Sequence, residues 1–329
     1  MERDNVEINW STGTGGNYGE DMDNGSHNDF QEIGLPPKKV MSYAGLSLFV
    51  LSFVVLGVQS LLDLLARSTV PWIVDTDWYV WALTAISIVG IGFPVYYAFI
   101  RRIPDSPKGK VEKLKPTRFI MIFFICYMAM YFTNLMSTVL TLVISLVKGE
   151  ELVNPVAEAI IGGNFLITLL YAAVIAPIIE EVIFRKLLLD KVRRFGELPA
   201  ILITGIAFGL FHMNLSQFFY AAVLGFIFAY VVLKTNTIRY SILLHMMINF
   251  ISSVMAPVLT KNKFIFMAVI LLWIGVALTL GVVFAILNYK KVKLEKYQPV
   301  MKTSSFFLNT GTILYLLTCL AVIVYATVS

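Results

Sequence analysis

Nine apolar runs dominate this chain, at approximately 40–62, 79–100, 119–147, 164–187, 199–214, 217–234, 240–259, 264–288 and 306–328. A helix needs about 20 predominantly apolar residues to cross a hydrocarbon layer. Each run is therefore read as a helix. The chain is expected to be all-α, a polytopic transmembrane bundle of about eight to nine spans. The fifth run is short and the third long. Little more than Asn214-Leu215-Ser216 separates the fifth from the sixth, which predicts a tight hairpin or re-entrant turn. Composition agrees: 58% of the residues are apolar and 14% charged, against about 45–50% and 25% in soluble domains.

The charges between the runs set an orientation. With the N-terminus cytoplasmic, 21 of the 26 Lys and Arg fall in cytoplasmic segments between and beside the runs, and Arg3 lies in the tail. The outer loops hold only Arg67, Lys148, Lys261 and Lys263, beside Asp75, Asp77, Glu150, Glu151 and Glu158. Positive residues accumulate on the cytoplasmic side, so the net charge of +5 is explained by topology and no nucleic-acid partner is expected. Cys126 and Cys319 both lie in apolar runs and frame neither a disulfide scaffold nor a cysteine zinc site.

Residues 1–38 read as a disordered acidic cytoplasmic tail. The first 35 carry eight acidic residues and one basic one, and such a segment buries too little apolar surface to offset its ordering entropy. His27 lies there as a solvated residue. The first apolar run begins near Val40, behind this polar tail, which reads against a cleavable signal peptide. Three further units follow: a transmembrane hairpin and basic cytoplasmic loop over 39–118, a membrane core over 119–262, and a C-terminal transmembrane hairpin over 263–329.

Glu180 and Glu181 are the intramembrane charges this organisation leaves to be explained. A central carboxylate costs roughly 2.5–3.5 kcal/mol on insertion scales and usually faces a protein interior or a wet cavity. Three motifs stand in three separate runs. The first is Glu180-Glu181-x-x-x-Arg185. Residues four apart share a helix face, so Glu181 can pair with Arg185, while Glu180 points about 100° away. One carboxylate can then be neutralised while the other stays available for proton transfer. Arg185 is also long enough to snorkel to the interface. Pro177, one turn earlier, favours a kink. The second motif is Phe208-Gly209-Leu210-Phe211-His212. The third is His245-Met246-Met247-Ile248-Asn249, whose polar ends are again four apart.

This set suits peptide hydrolysis. A carboxylate near a histidine can hold and deprotonate a water, and a His–Asn pair can donate to the oxyanion that forms. The expected roles are Glu180 as general base, His212 as its water-positioning partner, and His245 with Asn249 as oxyanion stabilisers; Glu181, Arg185 and Phe208 support them. By helical rise Glu180 and His212 lie about 20 Å from their basic ends. His245 is only five residues from Tyr240 and is the member whose depth fits least well. Phe218, Phe219, Phe226 and Phe228 read as helix packing, and Asn134 as an interhelical hydrogen bond.

At these residues the sequence resembles the CPBP family of intramembrane glutamic endopeptidases, which includes type II CAAX prenyl endopeptidases and bacterial Abi-type proteins. The family pattern of Glu-Glu-x-x-x-Arg, then Phe-x-x-x-His, then His-x-x-x-Asn stands here as Glu180-Glu181 with Arg185, Phe208 with His212, and His245 with Asn249. The resemblance covers roughly 165–255. It implies a helical membrane protease with a chamber open to the cytosol, and a water-activating glutamate carried to Glu180. The implied substrate is a membrane-anchored or prenylated peptide or protein in the bilayer, and the location is a multi-pass integral membrane position, the plasma membrane if the host is bacterial. It also implies metal-free chemistry. Two His and a Glu could still ligate zinc, although no His-Glu-x-x-His helix occurs. Two other classes stay open. Buried Glu and His chains serve as proton relays in transporters, although no inverted repeat is visible. The family also has members that act in bacteriocin self-immunity, so a non-catalytic immunity or scaffold protein fits the same residues.

Overall fold

The computed structural model describes residues 34–150, 152, 158–160, 163–255, 263–295 and 300–328. The acidic tail to residue 33, with His27, lies outside them, as do 153–157 between runs and 256–262, which include the end of the run over 240–259. Over their described residues, all nine apolar runs are mainly helical. They are α1 (Pro37–Thr69), α2 (Tyr79–Ile100), α3 (Pro116–Lys148), α4 (Phe165–Phe195), α5 (Glu197–Phe211), α6 (Leu215–Thr235), α7 (Arg239–Phe250, continued by a π turn over Ile251–Met255), α8 (Lys263–Asn288) and α9 (Thr310–Val328). Among the described residues, seven helical segments are long and apolar enough to cross a membrane; α5 and α7 are the short ones. The protein is a multi-pass integral membrane protein with an all-α bundle.

Local chemistry explains the helix ends. Pro37 and Pro116 open α1 and α3 from the first turn, where a missing N–H costs nothing. Asn164 caps α4 by accepting from the Leu166 and Ile167 amides at 3.1 and 3.4 Å. Asn214 caps α6 through the Ser216 amide at 2.9 Å. The expected hairpin between the fifth and sixth runs is present: three residues join α5 to α6, and Met213 takes a left-handed φ of 49° to make the turn.

Among the described residues, packing forms two large apolar clusters and a small third around Trp81, Tyr171 and Ala172. One large cluster gathers α1, α2, the far half of α4, α5 and α9. The other gathers α3, α6, α7 and α8 around Phe123, Tyr127 and Phe228. Helix α6 belongs to both and meets α5 along glycines. A β-carbon on Gly225 would stand 2.8 Å from the Gly205 α-carbon, so the two backbones touch, the small-residue contact that membrane helices use in place of a hydrophobic drive.

At the basic end of the bundle, the loop over 101–115 has no regular structure and is tied down by polar contacts. The Ser106 amide donates to the Asp190 carbonyl at 2.8 Å, and the Glu112 amide to the Thr235 carbonyl at 2.9 Å. The Leu114 amide reaches the Tyr240 hydroxyl at 3.0 Å. Lys108 pairs with Asp190, Lys191 with Asp105 at 2.5 Å, and Arg194 donates to the Pro104 carbonyl at 2.8 Å. The last turns of α4 therefore run through a polar layer.

Candidate active site

Where helix α4 carries the carboxylates, regular α-helix spans just the six residues Ala176–Glu181. Wider π turns flank that piece, over Tyr171–Ile175 and Val182–Leu188. A π turn inserts a residue into the ladder and is enriched at functional sites. Carbonyls in these turns are bound from neighbouring helices. Asn249 Nδ2 donates to the Ala172 oxygen at 2.9 Å, and the Tyr96 hydroxyl to the Ile183 oxygen at 3.2 Å. Pro177 adds a position without an N–H between them. The Glu-Glu segment is thus held at both ends by other helices.

The two carboxylates meet different surroundings. Glu181 is fully buried. Its Oε1 lies 3.3 Å from Arg185 Nη1 and 3.1 Å from His245 Nδ1. Its Oε2 has no hydrogen-bond partner. Glu180 has a side chain 17% exposed, and its Oε2 is 3.7 Å from His245 Nε2. His245 is therefore wedged between both carboxylates. Its depth, doubtful by counting residues, is no obstacle. Counting from Arg194 overestimates how deep Glu180 sits, because the end of α4 belongs to the polar layer.

Arg185 does not snorkel. It is 0% exposed, and its guanidinium carbon lies 4.3 Å from the Phe208 ring centre, 5.5 Å from Phe228 and 5.8 Å from Phe184. None of its three guanidinium nitrogens finds a hydrogen-bond acceptor. The aromatic faces and the Glu181 charge stand in for water, and cation–π attraction is strongest when desolvated. The four-residue spacing made the ion pair foreseeable; the cage comes from three helices and was not.

Phe208 links the set. Its ring stacks on Arg185 and stands edge-on to His212 and His245 at 4.9 and 5.7 Å. Its carbonyl lies 2.9 Å from His212 Nδ1. That contact requires the hydrogen on Nδ1, which in a neutral imidazole leaves Nε2 as an acceptor. His212 sits at the end of α5, before the left-handed Met213.

Glu180, Phe208, His212, His245 and Asn249 line one cavity of about 870 Å³. Glu181 and Arg185 are sealed behind it. Aromatic residues form much of the remaining wall, among them Trp81, Tyr131, Tyr171 and Trp273. Asn134 lines this cavity as well, where an interhelical bond was expected. A cavity between seven helices can use a polar group that would otherwise need a helix partner. The Phe cluster packs as expected at Phe226, against Gly205, whereas Phe228 also faces Arg185 and His245. Among the described residues, no group of three His, Cys, Asp or Glu could hold a metal ion.

Sequence reasoning passed over Ser216, Gln217 and Tyr220, which line the cavity from the first turns of α6. Their only signal was polarity at the start of an apolar run.

Residues 162–251 match the sequence model of the "Type II CAAX prenyl endopeptidase Rce1-like" family. A curated protein of Bacillus subtilis (strain 168), named "Putative membrane peptidase YdiL", is 30% identical over 82 residues, which is 25% of this chain. The chain spans about a third of that relative's length, 34%. No solved structure matches. The matched segment 162–251 carries the CPBP pattern, and the two comparisons together support assignment to that family of membrane proteases.

Proposed function

We propose, from a segment 162–251 that matches a membrane-protease family, that this protein is an intramembrane endopeptidase. Within the core 119–262 it hydrolyses a peptide bond in a membrane-anchored or lipidated substrate, by water that Glu180 activates. One observation carries this reading. Of two adjacent carboxylates, one is sealed and paired, while the other opens on a cavity shared with two imidazoles and a carboxamide.

The steps follow from the hydrogen-bonding state of each group. Glu180 accepts one water hydrogen. The other goes to His212 Nε2, which is free to accept because Nδ1 is committed to the Phe208 carbonyl. Water held by two acceptors directs a lone pair at the substrate carbonyl carbon. As the C–O bond forms, Glu180 takes the proton and the carbonyl oxygen becomes an oxyanion. Asn249 Nδ2 has one hydrogen bound to Ala172 and one left to donate to it. His245 can donate from Nε2 only when both ring nitrogens carry hydrogen, since Nδ1 faces Glu181. The C–N bond then breaks, and the Glu180 proton passes to the leaving amine. The apolar and aromatic wall suits a substrate whose neighbouring groups are greasy, such as a prenylated peptide.

The test compares wild type with Glu180→Gln and His212→Ala on a library of membrane-anchored peptides in proteoliposomes. Both variants should be inactive while the fold is kept. Full cutting by both would overturn the catalytic assignment. If no form cuts but the variants lose a protective phenotype, binding replaces catalysis. A parallel arm treats wild type with chelator. Activity is expected to persist, and loss that zinc restores would replace glutamate chemistry with metal chemistry.

A further inference from the structure

We infer that Tyr220, oriented by Gln217, is a further catalytic residue: a phenolic hydrogen-bond donor to the oxyanion of the proposed hydrolysis. The inference rests on that reading of Glu180 and extends it.

The argument begins with a shortage of donors. His245 Nδ1 is engaged by Glu181 at 3.1 Å, and half of the Asn249 amide donor capacity is engaged by Ala172 at 2.9 Å. His212 has its hydrogen on the Phe208 carbonyl and presents an acceptor. A carbonyl oxygen that gains charge in a dry site needs preorganised donors aimed at it, and two is the usual number.

Tyr220 supplies one. It stands on the cavity wall with Glu180, His212, His245 and Asn249. Gln217, one turn before it on α6, donates Nε2–H to the Tyr220 oxygen at 2.9 Å. The phenol oxygen is thereby used as an acceptor and its own O–H is left to donate. A carboxamide that donates to a phenol also makes that phenol the stronger donor, because hydrogen bonds in series polarise one another. The ring is pinned as well, since Tyr220 packs against both large apolar clusters.

The backbone explains why these residues reach the site. The turn through Met213 reverses the chain just after His212, so the first turns of α6 begin beside the end of α5. Asn214 caps α6 there, which fixes the direction in which Gln217 and Tyr220 leave the helix. In the step itself Tyr220 gives no proton away. It donates a hydrogen bond while the C–O bond forms, and the hydrolysis balance through Glu180 is unchanged. Gln217 touches no substrate and is a positioning residue.

The experiment uses full-length protein in proteoliposomes and the membrane-anchored peptide that wild type cuts fastest. Tyr220→Phe should lower kcat about 100-fold with KM little changed, the scale of one oxyanion donor. Gln217→Leu should lower kcat roughly tenfold, the share expected of one polarising bond in a catalytic unit. The double variant should equal Tyr220→Phe alone, because Gln217 acts only through the phenol. The acidic limb of the pH–rate profile should stay where it is in Tyr220→Phe. The proposal is overturned if Tyr220→Phe keeps wild-type kcat, if only KM rises, or if the two effects multiply. A thermal melt accompanies each variant; should Tyr220→Phe melt early, kcat of Gln217→Leu decides in its place. Glu180→Gln runs beside them. If it stays active the hydrolytic reading falls, whereas an inactive Glu180→Gln with a fully active Tyr220→Phe removes Tyr220 alone.

Discussion

The chain buries charge in two regions, and it treats them differently. In the polar layer at the basic end, charges and main-chain groups meet partners at short range. Asp105 meets Lys191, Asp190 meets Lys108, Glu197 meets Lys234 at 2.7 Å, and Arg194 meets the Pro104 carbonyl. In the intramembrane set the contacts are longer and incomplete. Arg185 stands 3.3 Å from Glu181, Glu180 stands 3.7 Å from His245, and Glu181 Oε2 and all three Arg185 nitrogens lack hydrogen bonds. Buried polar groups are normally satisfied, and exceptions call for a reason. The first region is spent on holding a loop to the bundle. The second keeps unsatisfied capacity beside a cavity, where a substrate and a water can use it.

The largest effect that could break this contrast is at Glu180. Glu180→Gln should cut kcat by about 10²–10⁴-fold, the worth of a general base, with the melting temperature held, because the side chain is partly open to the cavity. A loss of folding instead would mean that Glu180 belongs with the structural charges. Next is the sealed pair. Arg185→Met should destabilise by roughly 3–5 kcal/mol, since it strands the Glu181 carboxylate in a dry site. Adding Glu181→Gln to it should recover part of that loss in a thermal or denaturant melt; strictly additive losses would show that the pair is not coupled.

Smaller effects are expected in the polar layer. Lys191→Ala should cost about 1 kcal/mol, because its partner Asp105 is more than half exposed and water can take over that carboxylate, and should leave kcat unchanged. A drop in kcat would join the two regions that the geometry separates. The smallest effect is a pH dependence at Asp105. Burial pushes its carboxyl up, but the hydrogen bond and charge of Lys191, with Lys108 and Lys186 behind, outweigh burial and hold it below the usual carboxylate range. A carboxylate lowered on folding stabilises above its unfolded pKa, and that contribution fades as pH falls through the folded value. Acid melts should therefore lose a small increment below the normal Asp range, and Asp105→Asn should remove that increment.

Much of this protein was legible in residue order. Runs of twenty apolar residues specify helices because lipid offers the backbone no other partner. Spacing of four specifies which side chains share a face, so the Glu181–Arg185 pair and the His245–Asn249 ladder could be read directly. Those are properties of a single helix, set by its own rise and rotation. What packing alone decided concerns neighbours from other helices. It chose which of two adjacent carboxylates would be walled in, and it closed Phe184, Phe208 and Phe228 around Arg185 instead of letting that chain reach water. It placed π turns on both sides of the Glu-Glu segment and captured their carbonyls with Asn249 and Tyr96. It also brought Gln217 and Tyr220 to the cavity, although nothing in their spacing distinguished them from an ordinary helix start. Each outcome depends on the distance between groups far apart in the chain, and no local period encodes that distance.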